Sequence, residues 1–141
     1  MKRVACIGVL IGIVAAAVAV STARTEDAAK GKRVFELRTY IANPGKLDAL
    51  NKRFREHTNA LFKKHGVEII GFWTPATGPE AENTLIYIVA FPSVEAQKKA
   101  WGAFMKDPGW IKAKKESEVD GVLVSKVISQ NLKPTDYSPI R

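Results

Sequence analysis

The sequence predicts an α+β fold of the ferredoxin-like type, βαββαβ, with a four-stranded antiparallel sheet and the helices on one face. Three observations point there. Arg33–Ile41 is a β-rich alternating run, two amphipathic helical stretches are each preceded by strand-like residues, and a long β-rich run closes the chain before Pro134. No internal repeat or low-complexity tract interrupts this order, and 141 residues suit one domain with a short extension.

RVFELRTYI, Arg33 to Ile41, alternates, with Phe35, Leu37, Thr39 and Ile41 on one side and Val34, Glu36, Arg38 and Tyr40 on the other. Asn43-Pro44-Gly45 then reads as a helix start, Asn as the cap and Pro at the first helical position. Leu47, Leu50, Phe54, His57, Leu61 and His65 recur at spacings of three and four, so one stripe of that helix is expected to face the sheet. Lys63, Lys64 and His65 complement the carboxyl end of the helix dipole, and Gly66 supplies a left-handed stop.

VEIIGFWT, Val67 to Thr74, is the second strand, PATGPEAEN a loop, and TLIYIVAF, Thr84 to Phe91, a third strand apolar on both faces. Ser93 caps a second long helix with Val94, Ala100, Trp101, Phe104 and Met105 as its inward positions. Asp107-Pro108 opens a further short helix that turns Trp110 and Ile111 toward the body. VLVSKVISQNL, Val122 to Leu132, is the last strand, expected to be apolar on both faces, and PTDYSPIR is an extended tail. Helices on one face of such a sheet leave the other apolar face bare. A second copy is the simplest cover, so the sequence predicts a homodimer with sheets packed face to face.

The first residues differ in kind. Met1, Lys2 and Arg3 precede an apolar run from Val4 to Val20 and then Ser21-Thr22-Ala23, the pattern of a secretory signal at 1–23 cleaved after Ala23, with an uncleaved membrane anchor as the alternative. Residues 24–32 form a polar leader and 33–141 the domain. Either way the domain is exported, periplasmic or extracellular, because the basic start stays on the cytoplasmic side. Cys6 falls inside the signal, which leaves no thiol nucleophile, disulfide or thiolate metal site beyond it. The formal charge of +8 drops to +6 without Lys2 and Arg3, 20 basic residues facing 14 acidic ones. The remaining basic residues are scattered pairs with no interleaved aromatics, so no nucleic-acid partner is expected. Membrane contact is left to an uncleaved N-terminal segment or to weak basic faces.

FELRTY at Phe35–Tyr40, PGKLDALNKRF at Pro44–Phe54, His57, GFW at Gly71–Trp73, NTLIYIVAF at Asn83–Phe91, DPGW at Asp107–Trp110 and the closing LKPTDYSP together resemble the NIPSNAP domain family of the dimeric α+β barrel group. The resemblance covers 33–139 in the expected order. It implies a ferredoxin-like protomer that pairs into a closed barrel, and it supplies no reaction. Family members are linked to vesicle and mitochondrial roles in eukaryotes, a setting from which an export signal departs.

His57 and His65 lie eight positions apart, about 12 Å of rise and two turns, too far to share a metal, and the spacing of four that a helical zinc pair needs is absent. His57, placed among Leu50, Phe54 and Leu61, is either a core histidine satisfied by a hydrogen bond or a general acid or base in a pocket between helix and sheet. The second option comes with the resemblance, because the barrel group includes enzymes without cofactor that use a cavity there, and Tyr40 or Tyr87 would then orient substrate. Glu36 and Arg38 project to one face as an ion pair or interface contact, or else Arg38 receives a ligand carboxylate in competition with Glu36. Trp73 and Phe72 are candidates to line a pocket, and Trp101 and Trp110 read as packing. Nucleotide-binding glycine motifs, a nucleophile elbow and clustered carboxylates are all missing, a haem on His57 would rest on one helical histidine, and the expectation carries no cofactor and no metal. The function expected is therefore a homodimeric domain that binds a small ligand or a protein partner, with a cofactor-independent enzyme acting through His57 on a small hydrophobic substrate as the alternative.

Overall fold

The computed structural model describes residues 33–141, and the predicted signal at 1–23, with Cys6, and the leader at 24–32 lie outside the described residues. β1 (Val34–Ala42) leads through a tight turn into α1 (Leu47–Arg53), which continues through a π-helical turn (Phe54–Thr58) into α2 (Asn59–Lys64). β2 (Glu68–Trp73), a single 3-10 turn (Pro79–Glu82), β3 (Thr84–Phe91), α3 (Val94–Met105), α4 (Pro108–Ser117) and β4 (Val124–Leu132) complete the chain. The sheet order is β2-β3-β1-β4 and every neighbouring pair is antiparallel, the predicted α+β arrangement. Among the described residues no helix is long and apolar enough to cross a membrane.

Register decides which side chains share a face. Arg38 pairs with Tyr87 and Ser129, and Glu36 with Val89 and Asn131, so these residues all point toward the helices. Their face meets Leu50, Phe54, Phe62, Ala100, Phe104 and Trp110 in one buried cluster with Leu85, Tyr87, Val89 and Phe91. The centre of that cluster is aromatic: Phe62 and Phe104 meet edge to face at 5.0 Å, and Phe54 lies 5.3 Å from Tyr87. The opposite face carries Phe35, Leu37, Thr39 and Ile41 of β1 beside Ala90, Ile88, Ile86 and Thr84 of β3.

The helix starts later than Asn43-Pro44 suggests. Gly45, at φ +71°, and the bond from Lys46 N–H to the Asn43 carbonyl at 2.9 Å make a β-turn with Pro and Gly at its centre, and the first helical residue is Leu47. The Asn43 side chain bonds instead to the Val122 carbonyl at 2.7 Å and ties the turn to the approach of β4. Gly66, at φ +72°, ends α2 as expected.

The stripe also differs. A π turn uses about one more residue per turn than an α turn, so Thr58 is buried where His57 was expected, and Phe62 is buried next to Leu61, which packs half-buried against the core. Val94 and Met105, at the two ends of α3, are exposed, and Gln97 takes a buried place between them. Ser93 and Asp107 do cap α3 and α4, accepting from the Ala96 and Gly109 N–H groups at 3.1 and 2.7 Å. Trp110 turns inward, whereas Ile111 is exposed. β4, expected to be apolar on both faces, is instead an edge strand whose Val127, Ile128 and Leu132 stay largely open beside Lys126, Ser129 and Asn131. The buried Arg53 guanidinium, bonded to Glu118 at 2.9 Å and lying 5.1 Å from the Trp110 ring, fastens α1 to α4.

Candidate functional site

Glu36 is a carboxylate buried at the centre of the sheet, and three donors from two elements converge on it. Trp101 Nε1 and Gln97 Nε2, both from α3, donate to Oε2 at 2.6 and 2.7 Å, and Ser129 Oγ, from β4, donates to Oε1 at 2.5 Å. Gln97 Nε2 also reaches Asn131 Oδ1 at 2.8 Å, which extends the network to the sheet edge. A buried charge needs this density of donors, because an unpaired carboxylate in a dry interior costs several kcal/mol. Trp101 was read from sequence as packing only, and its indole N–H is one of the bonds that join helix α3 to the sheet here.

With Glu36 so occupied, Arg38 is only loosely paired. Its Nε stands 3.6 Å from Glu36 Oε1, beyond hydrogen-bond range, and is buried without a partner. The guanidinium lies over Trp101 at 4.5 Å and near Tyr40 at 5.5 Å, and the side chain keeps 18 % of its surface open. Tyr87, directly opposite Arg38 in the β1–β3 register, is fully buried, and its hydroxyl also lacks a partner among the described residues. Burial pushes the Tyr87 phenol well above its ordinary value, with neighbouring Tyr40 adding to the effect, so it is a neutral O–H donor across the physiological range. Tyr40 meets it edge to face at 5.3 Å. A cation and a neutral donor, both unsatisfied and set in an aromatic wall, can receive an oxygen acceptor from a planar or apolar molecule.

Of the residues expected from sequence, Glu36, Arg38, Tyr40 and Tyr87 therefore come together. His57 does not join them. Its side chain is 47 % exposed, its Nε2 stands 4.0 Å from Glu56 Oε2, and it makes no side-chain hydrogen bond among the described residues. The expectation that it faces the sheet fails because the π turn rotates it outward. Trp73 is on the other face of the sheet, opposite Ile86, where it lies over Gly71 so closely that a Cβ there would stand 2.7 Å from the ring. It belongs to the bare face, whereas its neighbour Phe72 packs 5.5 Å from Tyr87. His65 sits at the helix end as predicted, its Nε2 2.7 Å from Asp107 Oδ2, which also accepts from Lys64 at 2.6 Å. Among the described residues no group of three or more His, Cys, Asp or Glu is placed to hold a metal ion.

Gln97, Ser129 and Asn131 were not singled out from sequence. The signal was present: Ser129 and Asn131 alternate onto one face of β4, and Gln97 and Trp101 stand one helical turn apart on α3.

Comparison with known proteins places the fold. The family model for NIPSNAP matches residues 35–139. A NIPSNAP-family protein of unknown function from Agrobacterium tumefaciens is 25 % identical with a TM-score of 0.68, over 79 % of this chain and 96 % of that one. A NIPSNAP-like domain protein from Burkholderia xenovorans, 17 % identical over 77 % of this chain and 90 % of its own, has the same fold at a TM-score of 0.67. So does, more distantly, a candidate antibiotic biosynthesis monooxygenase from Chloroflexus aurantiacus, 17 % identical over 78 % of this chain and all of its own, at 0.50. No curated protein matches the chain. The matched span takes in every helix described above and all four strands but for Val34, and the chain belongs to the NIPSNAP family.

Proposed function

We propose that the chain is an exported homodimeric binding domain that holds a small, largely apolar molecule through a carboxylate or carbonyl set against Arg38 and Tyr87. The observation that carries this reading is the pair of orphaned polar atoms, Arg38 Nε and Tyr87 Oη, on residues that face each other across β1 and β3. Buried donors are almost always satisfied, and two unsatisfied ones on residues paired across neighbouring strands point to an acceptor that binds there. Glu36 does not compete for that place, since its oxygens are held by Trp101, Gln97 and Ser129. Export is supported by the basic, then apolar, N-terminal sequence, and pairing by the row of apolar side chains on the bare sheet face. An enzyme working through His57 would need that ring beside Arg38 and Tyr87, and the ring is half-exposed and bonded to neither, so binding is favoured over proton transfer.

Trp101 lies against Arg38 and reports on the site. Titration of the protein with benzoate, phenylacetate and uncharged benzyl alcohol, followed by tryptophan fluorescence, should show saturable binding of the carboxylates first. Arg38→Met should weaken the carboxylates at least tenfold and the alcohol much less. Equal affinities in wild type and Arg38→Met would remove Arg38 from the reading.

A further inference from the structure

The bare face of the sheet is not bare along its whole length. The chain after β4 turns back on itself, with the Ser138 N–H bonded to the Thr135 carbonyl at 3.1 Å, and its last residue is pinned by Arg33 Nη1 on the Arg141 carbonyl at 2.7 Å. Arg33 is in turn fixed to Glu68 at 2.6 Å, so the strap is anchored beside the start of β1 and β2. Between strap and sheet lies an open pocket of about 320 Å³. Phe35, Ile70, Ile88 and Leu132 form its floor, one from each strand, and Pro134 and Ile140 are its apolar roof.

Two features choose the occupant. The volume is near the lower end of the roughly 300–1,000 Å³ of small-molecule sites, room for roughly ten water-sized groups. At the rim stand Lys133, which forms no ion pair among the described residues, and Thr135, with no side-chain hydrogen bond among them. A greasy cleft with one free cation and one free hydroxyl at its mouth complements an amphiphile with a single negative end. We propose that this pocket binds a medium-chain alkyl carboxylate of about eight carbons, its chain on the Phe35–Ile88 floor and its carboxylate at Lys133. The site is on the opposite face from Arg38 and does not depend on the reading given to Arg38. The floor covers only the Phe35 end of the face, so Thr39, Ile41, Ile86 and Trp73 remain open for a second copy.

Calorimetric titration of the full chain with butyrate, hexanoate and octanoate, with 1-octanol as the uncharged control, tests this. Each methylene added should tighten binding about fourfold, and octanoate should perturb the methyl resonances of Ile70, Ile88 and Leu132. Lys133→Gln should weaken octanoate several-fold and leave octanol unchanged. Ile140→Asp, on the strap and outside the core, should weaken both at least tenfold. Absence of saturation, affinities independent of chain length, or full binding by Ile140→Asp would each overturn the proposal. So would an octanoate affinity that falls as protein concentration rises, which would assign the pocket to the second copy.

Discussion

Removing the Glu36 carboxylate should separate helix α3 from the sheet. In Glu36→Ala, the partly buried Trp101 Nε1 loses the acceptor at 2.6 Å, while Gln97 Nε2 keeps only its 2.8 Å bond to Asn131. Buried hydrogen bonds to a charged group contribute about 1.5–3 kcal/mol each, so these two together set a loss of about 4 kcal/mol. Ser129, on an edge strand, can turn to water and adds little. Arg38 also loses the one countercharge near it among the described residues, which acts in the same direction. Glu36→Gln keeps an oxygen for Trp101 and Gln97 but converts charged bonds to neutral ones, a loss of about 2 kcal/mol. Against a typical domain stability of about 5–15 kcal/mol, the alanine variant would be marginal and the glutamine variant folded. Urea unfolding at fixed protomer concentration measures both, and a cycle with Trp101→Phe isolates the indole bond at about 1–2 kcal/mol of coupling. Losses below about 0.5 kcal/mol in both variants would refute the view that this carboxylate organises the site.

Two further outcomes follow from the same structure. Hydrogen bonds from Lys64 and His65 hold the Asp107 carboxyl well below the usual carboxylate range. A depressed folded value means stability that is present above the ordinary carboxylate pKa and lost in acid, so the melting temperature should fall as pH drops below about 4. Asp107→Asn should melt lower at neutral pH and show a flatter acid limb, and an unchanged acid limb by calorimetry would contradict the role given to this pair. His57→Gln should leave the melting temperature within about 2 °C of wild type, since surface substitutions shift stability by about 0.5 kcal/mol or less. A larger loss would mean the ring is packed.

The order of strands and helices was legible because periodicity is a local property. β1 and β3 alternate visibly, and the Ser93 and Asp107 caps announce α3 and α4 in advance of any packing. What escaped depended on tertiary placement. Nothing in FREHT distinguishes a π turn from an α turn, yet that one extra residue exchanges Thr58 for His57 on the buried face. Val94 and Met105 obey the helical spacing but lie at the ends of α3, beyond what the sheet covers. Half of the site could be seen, because Glu36, Arg38 and Tyr40 sit on one side of a single strand. Trp101 could not, because its bond to Glu36 spans 65 residues and becomes visible only once α3 crosses the sheet.

The proposed dimer rests on the apolar far side of the sheet. Trp73, half exposed over Gly71, lies on that side, as do Ile86 and Thr39 at the middle of the sheet. Analytical ultracentrifugation from about 1 to 100 µM is the direct measurement, a range that spans the affinities of ordinary dimers. Sedimentation at twice the protomer mass, with Ile86→Lys shifting the protein to a folded single copy, is the predicted result. A wild-type protein that stays at one protomer mass across the whole range would contradict it.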